Sequence, residues 1–134
     1  MTQRPRKAAR SSCTVLVVDP DDSLRKVTRG LLESLGYRVL DAADAVGAEQ
    51  IARVYVGPIH VLLIEVNSPG TSGQALAERM RSLHPELRVV FTSEERQKDL
   101  VKQGQLKART PFIRKPLERD RLALKVRGVL GNSR

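Results

Sequence analysis

From residue 13 onward the chain alternates short apolar runs with longer segments in which apolar residues recur every three or four positions. The run TVLVV at residues 14–18 predicts a first strand ending at Asp19. Leu24, Val27, Leu31, Leu32 and Leu35 then share one stripe of a predicted helix, capped by Asp22 or Ser23 and closed by Gly36. Residues 37–40 predict a short strand. Residues 44–55 predict a helix with Ala45, Ala48, Ile51, Ala52 and Tyr55 inward, stopped by Gly57 and Pro58. A third strand is expected over 60–64, followed by a loop over 66–73. A helix over 74–84 carries Leu76, Met80 and Leu83 in register, and Pro85 closes it. Residues 87–92 and 112–115 predict the last two strands. Between them, residues 95–104 form a helix with few apolar anchors. A final helix over 118–130 carries Leu122, Val126, Val129 and Leu130 at helical spacing.

Five strands separated by helices require crossovers, hence a parallel sheet covered on both faces. Right-handed crossovers make it an α/β, doubly wound three-layer sandwich of (βα)5 type with a five-stranded parallel sheet.

The chain has 134 residues, the size of one ordinary domain. One cysteine, Cys13, makes no intrachain bridge and suggests a reducing compartment, so a cytoplasmic location is expected. No apolar stretch approaches the roughly 20 residues of a membrane span, and no apolar segment follows the basic N-terminus as a secretory signal requires. The net charge of +9 raises nucleic-acid binding as a reading. Arg4, Arg6, Lys7 and Arg10, however, lie in a basic N-terminal tail over 1–12 that is expected to lack order. The other cations are interleaved with acids, and two Phe, two Tyr and no Trp leave little for base stacking. His60 and His84 lack metal-ligand spacing.

Ligands of open α/β sheets bind beyond the carboxyl ends of the strands. The first strand delivers Asp19, then Pro20, Asp21 and Asp22. The third delivers Glu65 and, two residues later, Asn67. The fourth ends in Thr92 and Ser93, and the fifth in Lys115 before Pro116. Two carboxylates, a hydroxyl and an ammonium therefore meet along one edge.

With GPIHVLLIEVNSPGTSG at 57–73, TVLVVDPDDSLR at 14–25, VVFTSEE at 89–95 and FIRKP at 112–116, the chain resembles the receiver domain of two-component response regulators. It is closest to receivers attached to hybrid histidine kinases, across residues 13–131, with 132–134 as a short tail. The resemblance implies a flavodoxin-like fold. It also implies an acceptor carboxylate at Glu65, a phosphoryl-binding hydroxyl at Ser93 and lysine at Lys115, and an aromatic switch position at Phe112. Mg²⁺ would be held by acids after the first strand, Asp19 among them, and by the Asn67 carbonyl. The Lys115–Pro116 bond would be cis.

Two departures from that pattern alter the chemistry. Glu65 stands where the family has an aspartate, moving the carboxylate outward by about one methylene, and a misplacement on the order of 1 Å can cost roughly 100-fold in rate. Pro20 stands where a second metal-binding acid is expected and offers no ligand. Pro20 suits the first turn of a helix, which would point Asp21 and Asp22 away from the cleft. The reading is therefore an atypical receiver that signals by protein contact, independent of phosphorylation, with no enzyme activity and no cofactor. Glu65 either imitates the phosphorylated state in part or merely pairs with Lys115. Mg²⁺ enters only under the alternative of a receiver still phosphorylated in a relay. Expected partners are a histidine kinase or a downstream effector. An acidic partner would meet a face bearing Lys98, Lys102, Lys107, Arg119, Arg121 and Lys125. A stand-alone adaptor and a piece of a longer kinase both remain open.

Overall fold

The computed structural model describes residues 13–68 and 71–131, so the predicted tails over 1–12 and 132–134, and Gly70, lie outside the described residues. Strands β1 (Thr14–Val18), β2 (Arg38–Ala42), β3 (Val61–Glu65), β6 (Arg88–Ser93) and β7 (Phe112–Arg114) form one sheet in the order β2-β1-β3-β6-β7. Every pairing in it is parallel.

Alternation along the central strands divides the core. Val15, Val17, Val61, Leu63 and Val90 meet Leu32 and Leu35 of α1 (Asp22–Ser34) and its end, and Leu122 and Val126 of α5 (Arg119–Leu130). Leu16, Val18, Leu62, Ile64 and Phe91 face the other way. They meet Ala48 and Ala52 of α2 (Ala45–Val54), Leu76 and Met80 of α3 (Gly73–Leu83), and Leu100 of α4 (Gln97–Lys102). Covering both faces explains why β1 and β3 read as unbroken apolar runs.

Local details depart from the sequence expectation in ways that packing explains. The cap of α1 is Asp21, whose Oδ1 accepts from the Leu24 N–H at 3.0 Å, so Pro20 precedes the helix and does not form its first turn. Val27 is 58% exposed, and Thr28, 4% exposed, takes its place in the buried face. Because α1 packs against α5 as well as β1 and β2, its inner face is rotated from the stripe that hydrophobicity alone suggests. Leu83 likewise turns outward while Ala77 is buried. β2 runs on to Ala42 because β1 offers a partner along its whole length. The predicted loop after β3 contains a small antiparallel ribbon, β4 (Asn67–Ser68) with β5 (Thr71–Ser72). α4 is shorter than expected: Leu100 anchors it, and Gly104, at φ 76°, turns the chain away.

Asp44 caps α2 through its Oδ1, which accepts from the Gly47 N–H at 2.8 Å. Asp44→Ala is expected to lower stability by about 1 kcal/mol, read as an unchanged slope and a lower midpoint in urea.

Candidate functional site

The sheet order sets the distances at its carboxyl edge. Asp19 follows β1, Glu65 ends β3 beside it, and Lys115 follows β7, two strands from β3. Two strand spacings amount to roughly 10 Å, which the long lysine and glutamate side chains span together. The Lys115 Nζ sits 2.9 Å from Asp19 Oδ2 and also donates to Glu65 Oε1. The three side chains are 9%, 8% and 12% exposed. Backbone bonds align the strands that deliver them: the Lys115 N–H donates to the Ser93 carbonyl at 2.8 Å, and the Val66 N–H to that of Thr92 at 2.9 Å. The Lys115–Pro116 peptide is cis, as the resemblance implied.

The remaining oxygens are engaged nearby. Asp19 Oδ1 accepts from the Asp21 N–H at 2.9 Å, and the Asn67 N–H points to Glu65 Oε2 at 3.5 Å. Burial by itself would push the Lys115 ammonium down. Its hydrogen bonds to Glu65 and Asp19 outweigh that, so its pKa lies above the usual 10.5. Protonated lysine is thus the stable form between the two carboxylates.

Ser93 and Thr92 are both buried, and Thr92 stands opposite Glu65 in the β3–β6 register. The Ser93 hydroxyl accepts from the Glu95 N–H at 3.1 Å, which ties it to the loop after β6. Phe112 is buried opposite Phe91 in the core.

The donor set does not fit Mg²⁺. That ion wants near-octahedral oxygen at about 2 Å. Pro20 supplies no side-chain oxygen, Asp21 caps α1, and Asp22 reaches Arg25 at 2.7 Å. The Lys115 ammonium already stands between Asp19 and Glu65. Among the described residues, no cluster of three or more His, Cys, Asp or Glu side chains could hold a metal ion.

Two participants escaped the sequence reading. The Arg25 guanidinium donates to the Asp19 carbonyl at 2.8 Å, and Asp41 holds Arg29 at 2.7 Å with Arg25 at 3.6 Å. Arg25 was detectable as a helix neighbour of Asp22, but its bond to Asp19 depends on how α1 lies on the sheet. The expected basic face also changes. Arg119 donates to Ser34 Oγ on α1 at 3.2 Å, which draws it toward that helix. Arg109 and Arg114 line a groove beside α5 with Arg121 and Lys125.

Comparison with known proteins follows the same residues. The pattern of the response regulator receiver domain matches residues 15–127. The chain is 29% identical over 119 residues to the sensor kinase CckA of Brucella abortus, covering 89% of this chain and 13% of that protein. It is 30% identical over 126 residues to the CAI-1 autoinducer sensor kinase/phosphatase CqsS of Vibrio cholerae, covering 91% of this chain and 18% of that protein. The chain therefore spans less than a fifth of either kinase. The crystal structure of the receiver domain from the hybrid histidine kinase CckA superposes with a TM-score of 0.71 at 31% identity, covering 87% of this chain and 98% of that one. No helix among the described residues is long and apolar enough to cross a membrane.

Proposed function

The chain belongs to the response regulator receiver domain family, and from that premise we propose that it is a receiver that signals by protein contact without accepting a phosphoryl group. Receivers are in general non-enzymatic modules that meet histidine kinases and effectors in two-component systems. The observation that carries the finer reading is the position of Lys115, clasped by Asp19 and Glu65 where the family's chemistry needs a metal-filled acidic cleft. Phosphoryl transfer depends on positioning and on neutralising charge with Mg²⁺. Pro20 and the longer Glu65 withdraw both supports.

Glu65 also gives the lysine a fixed anionic partner, so the cleft holds a permanent charge pair. Any bias this gives toward one conformation is limited to Glu65's differential interaction with the two states. The partner class suggested by the similar sensor kinases is a histidine kinase, or an effector downstream of one. A single cysteine and the lack of a long apolar helix among the described residues support the cytoplasm as the location.

The test is incubation with acetyl phosphate and Mg²⁺, followed by intact-mass spectrometry. The native chain should show no phosphoryl adduct. The double variant Pro20→Asp/Glu65→Asp should show an acid-stable, base-labile one. An adduct on the native chain that vanishes in Glu65→Ala would establish the alternative, a receiver that is still phosphorylated.

A further inference from the structure

Positive charge is distributed unevenly over the molecule. On the α1, α2 and α3 side, Arg25, Arg29, Arg53 and Arg79 are all paired with acids. Arg109, Arg114, Arg121 and Lys125 converge on a groove of about 740 Å³ between α5 and the segment entering β7, with no acid among its lining residues. None of the four makes an ion pair with a described residue.

The α5 wall is one stripe: Arg121, Leu124, Lys125, Gly128 and Val129 recur at helical spacing over about 12 Å. Leu124 is 63% exposed. Gly128 is the informative member. A Cβ built there would meet nothing within 4 Å, so packing within the chain does not require glycine. A glycine inside a helix costs stability relative to alanine. Its only structural consequence is a notch in α5 that lets another backbone approach.

We propose that this groove docks an acidic amphipathic helix of a protein partner, with an apolar residue seated beside Leu124 and Val129, its backbone crossing the Gly128 notch, and carboxylates meeting Arg121, Lys125, Arg109 and Arg114. The inference rests on the contact-signalling reading above and names the chemistry of the contact. An apolar stripe beside the cations fits a helix, in the manner of helix-in-groove recognition. A nucleic acid would instead call for exposed aromatic rings on which bases stack, and Phe112 is buried.

The probe is a fluorescein-labelled helical peptide of Glu, Ala and Leu, with one leucine stripe flanked by carboxylates, titrated with the full chain and followed by anisotropy and amide shifts. Shifts should centre on residues 109–114 and 121–129. Gly128→Ala should raise the melting temperature. Gly128→Leu, if it melts no lower than the native chain, should weaken the peptide by about tenfold or more, and Arg121→Glu/Lys125→Glu should do the same. Peptide affinity unchanged in Gly128→Leu, shifts on another face, or no binding at millimolar peptide would each overturn the proposal. So would a DNA duplex binding more tightly than the peptide. Gly128→Leu melting below native would also count against it, because the notch would then serve the fold. These outcomes leave the phosphodonor experiment untouched, so the two readings fail separately.

Discussion

Lys115→Met is expected to lower the unfolding free energy by about 3–5 kcal/mol, the penalty for removing one partner of a buried ionic cluster. The loss arises from what remains, since Asp19 and Glu65 would then be two shielded carboxylates without their shared ammonium. For a domain of this size the melting temperature should fall on the order of 10 °C. Lys115→Met/Glu65→Gln should recover part of the loss, because one uncompensated charge goes with the lysine. A double variant no more stable than the single one would show that Glu65 is not what the missing lysine exposes. The same pair predicts a pH dependence. The Lys115 pKa is raised above 10.5 in the folded chain, so its contribution is complete below that value and is lost as pH climbs through the folded pKa. Urea midpoints of the native chain should therefore fall in this alkaline window relative to those of Lys115→Met.

Gly73→Ala is expected to cost about 1–3 kcal/mol, an overpacking loss seldom produced by a single methyl group. An added Cβ would stand 2.9 Å from the Glu65 carbonyl oxygen and 3.1 Å from both the Val66 carbonyl oxygen and Phe91 Cε1. Two of these neighbours are backbone atoms of the segment that presents the Glu65 carboxylate, so relief must move the site. The variant should consequently unfold at lower urea and also shift the Lys115 and Asp19 resonances, whereas Asp44→Ala should only do the former. Unchanged Lys115 and Asp19 resonances in a destabilised Gly73→Ala would mean that the strain is relieved through α3 alone.

Much of the fold was legible because its signals are local. TVLVV and VLLIE announce strands buried on both faces, and regular apolar spacing announces most helices. The strand tips then follow from topology: wherever a parallel strand ends, its terminal side chains face the same crevice. Asp19, Glu65, Ser93 and Lys115 could be grouped for that reason before any distance was known. The site's departures were equally readable, because proline and glutamate carry their chemistry with them.

Other features depend on how distant elements settle against one another. Which of Val27 and Thr28 faces inward depends on α1 meeting α5. That Ser93's hydroxyl serves Glu95, and that Arg25 grips the Asp19 carbonyl, follows from loop and helix placement. Arg119 left the basic face and Arg109 and Arg114 joined the groove for the same reason. The sequence by itself determined the strand order's raw material, the residue types at the strand ends and the loss of a metal-binding acid, because each is a property of a residue and its near neighbours. Only the tertiary structure decided that one ammonium would sit between two carboxylates, and that four cations would surround a notch left by a glycine. Electrostatic pairing is set by distances across the fold, and residue spacing along the chain does not specify them.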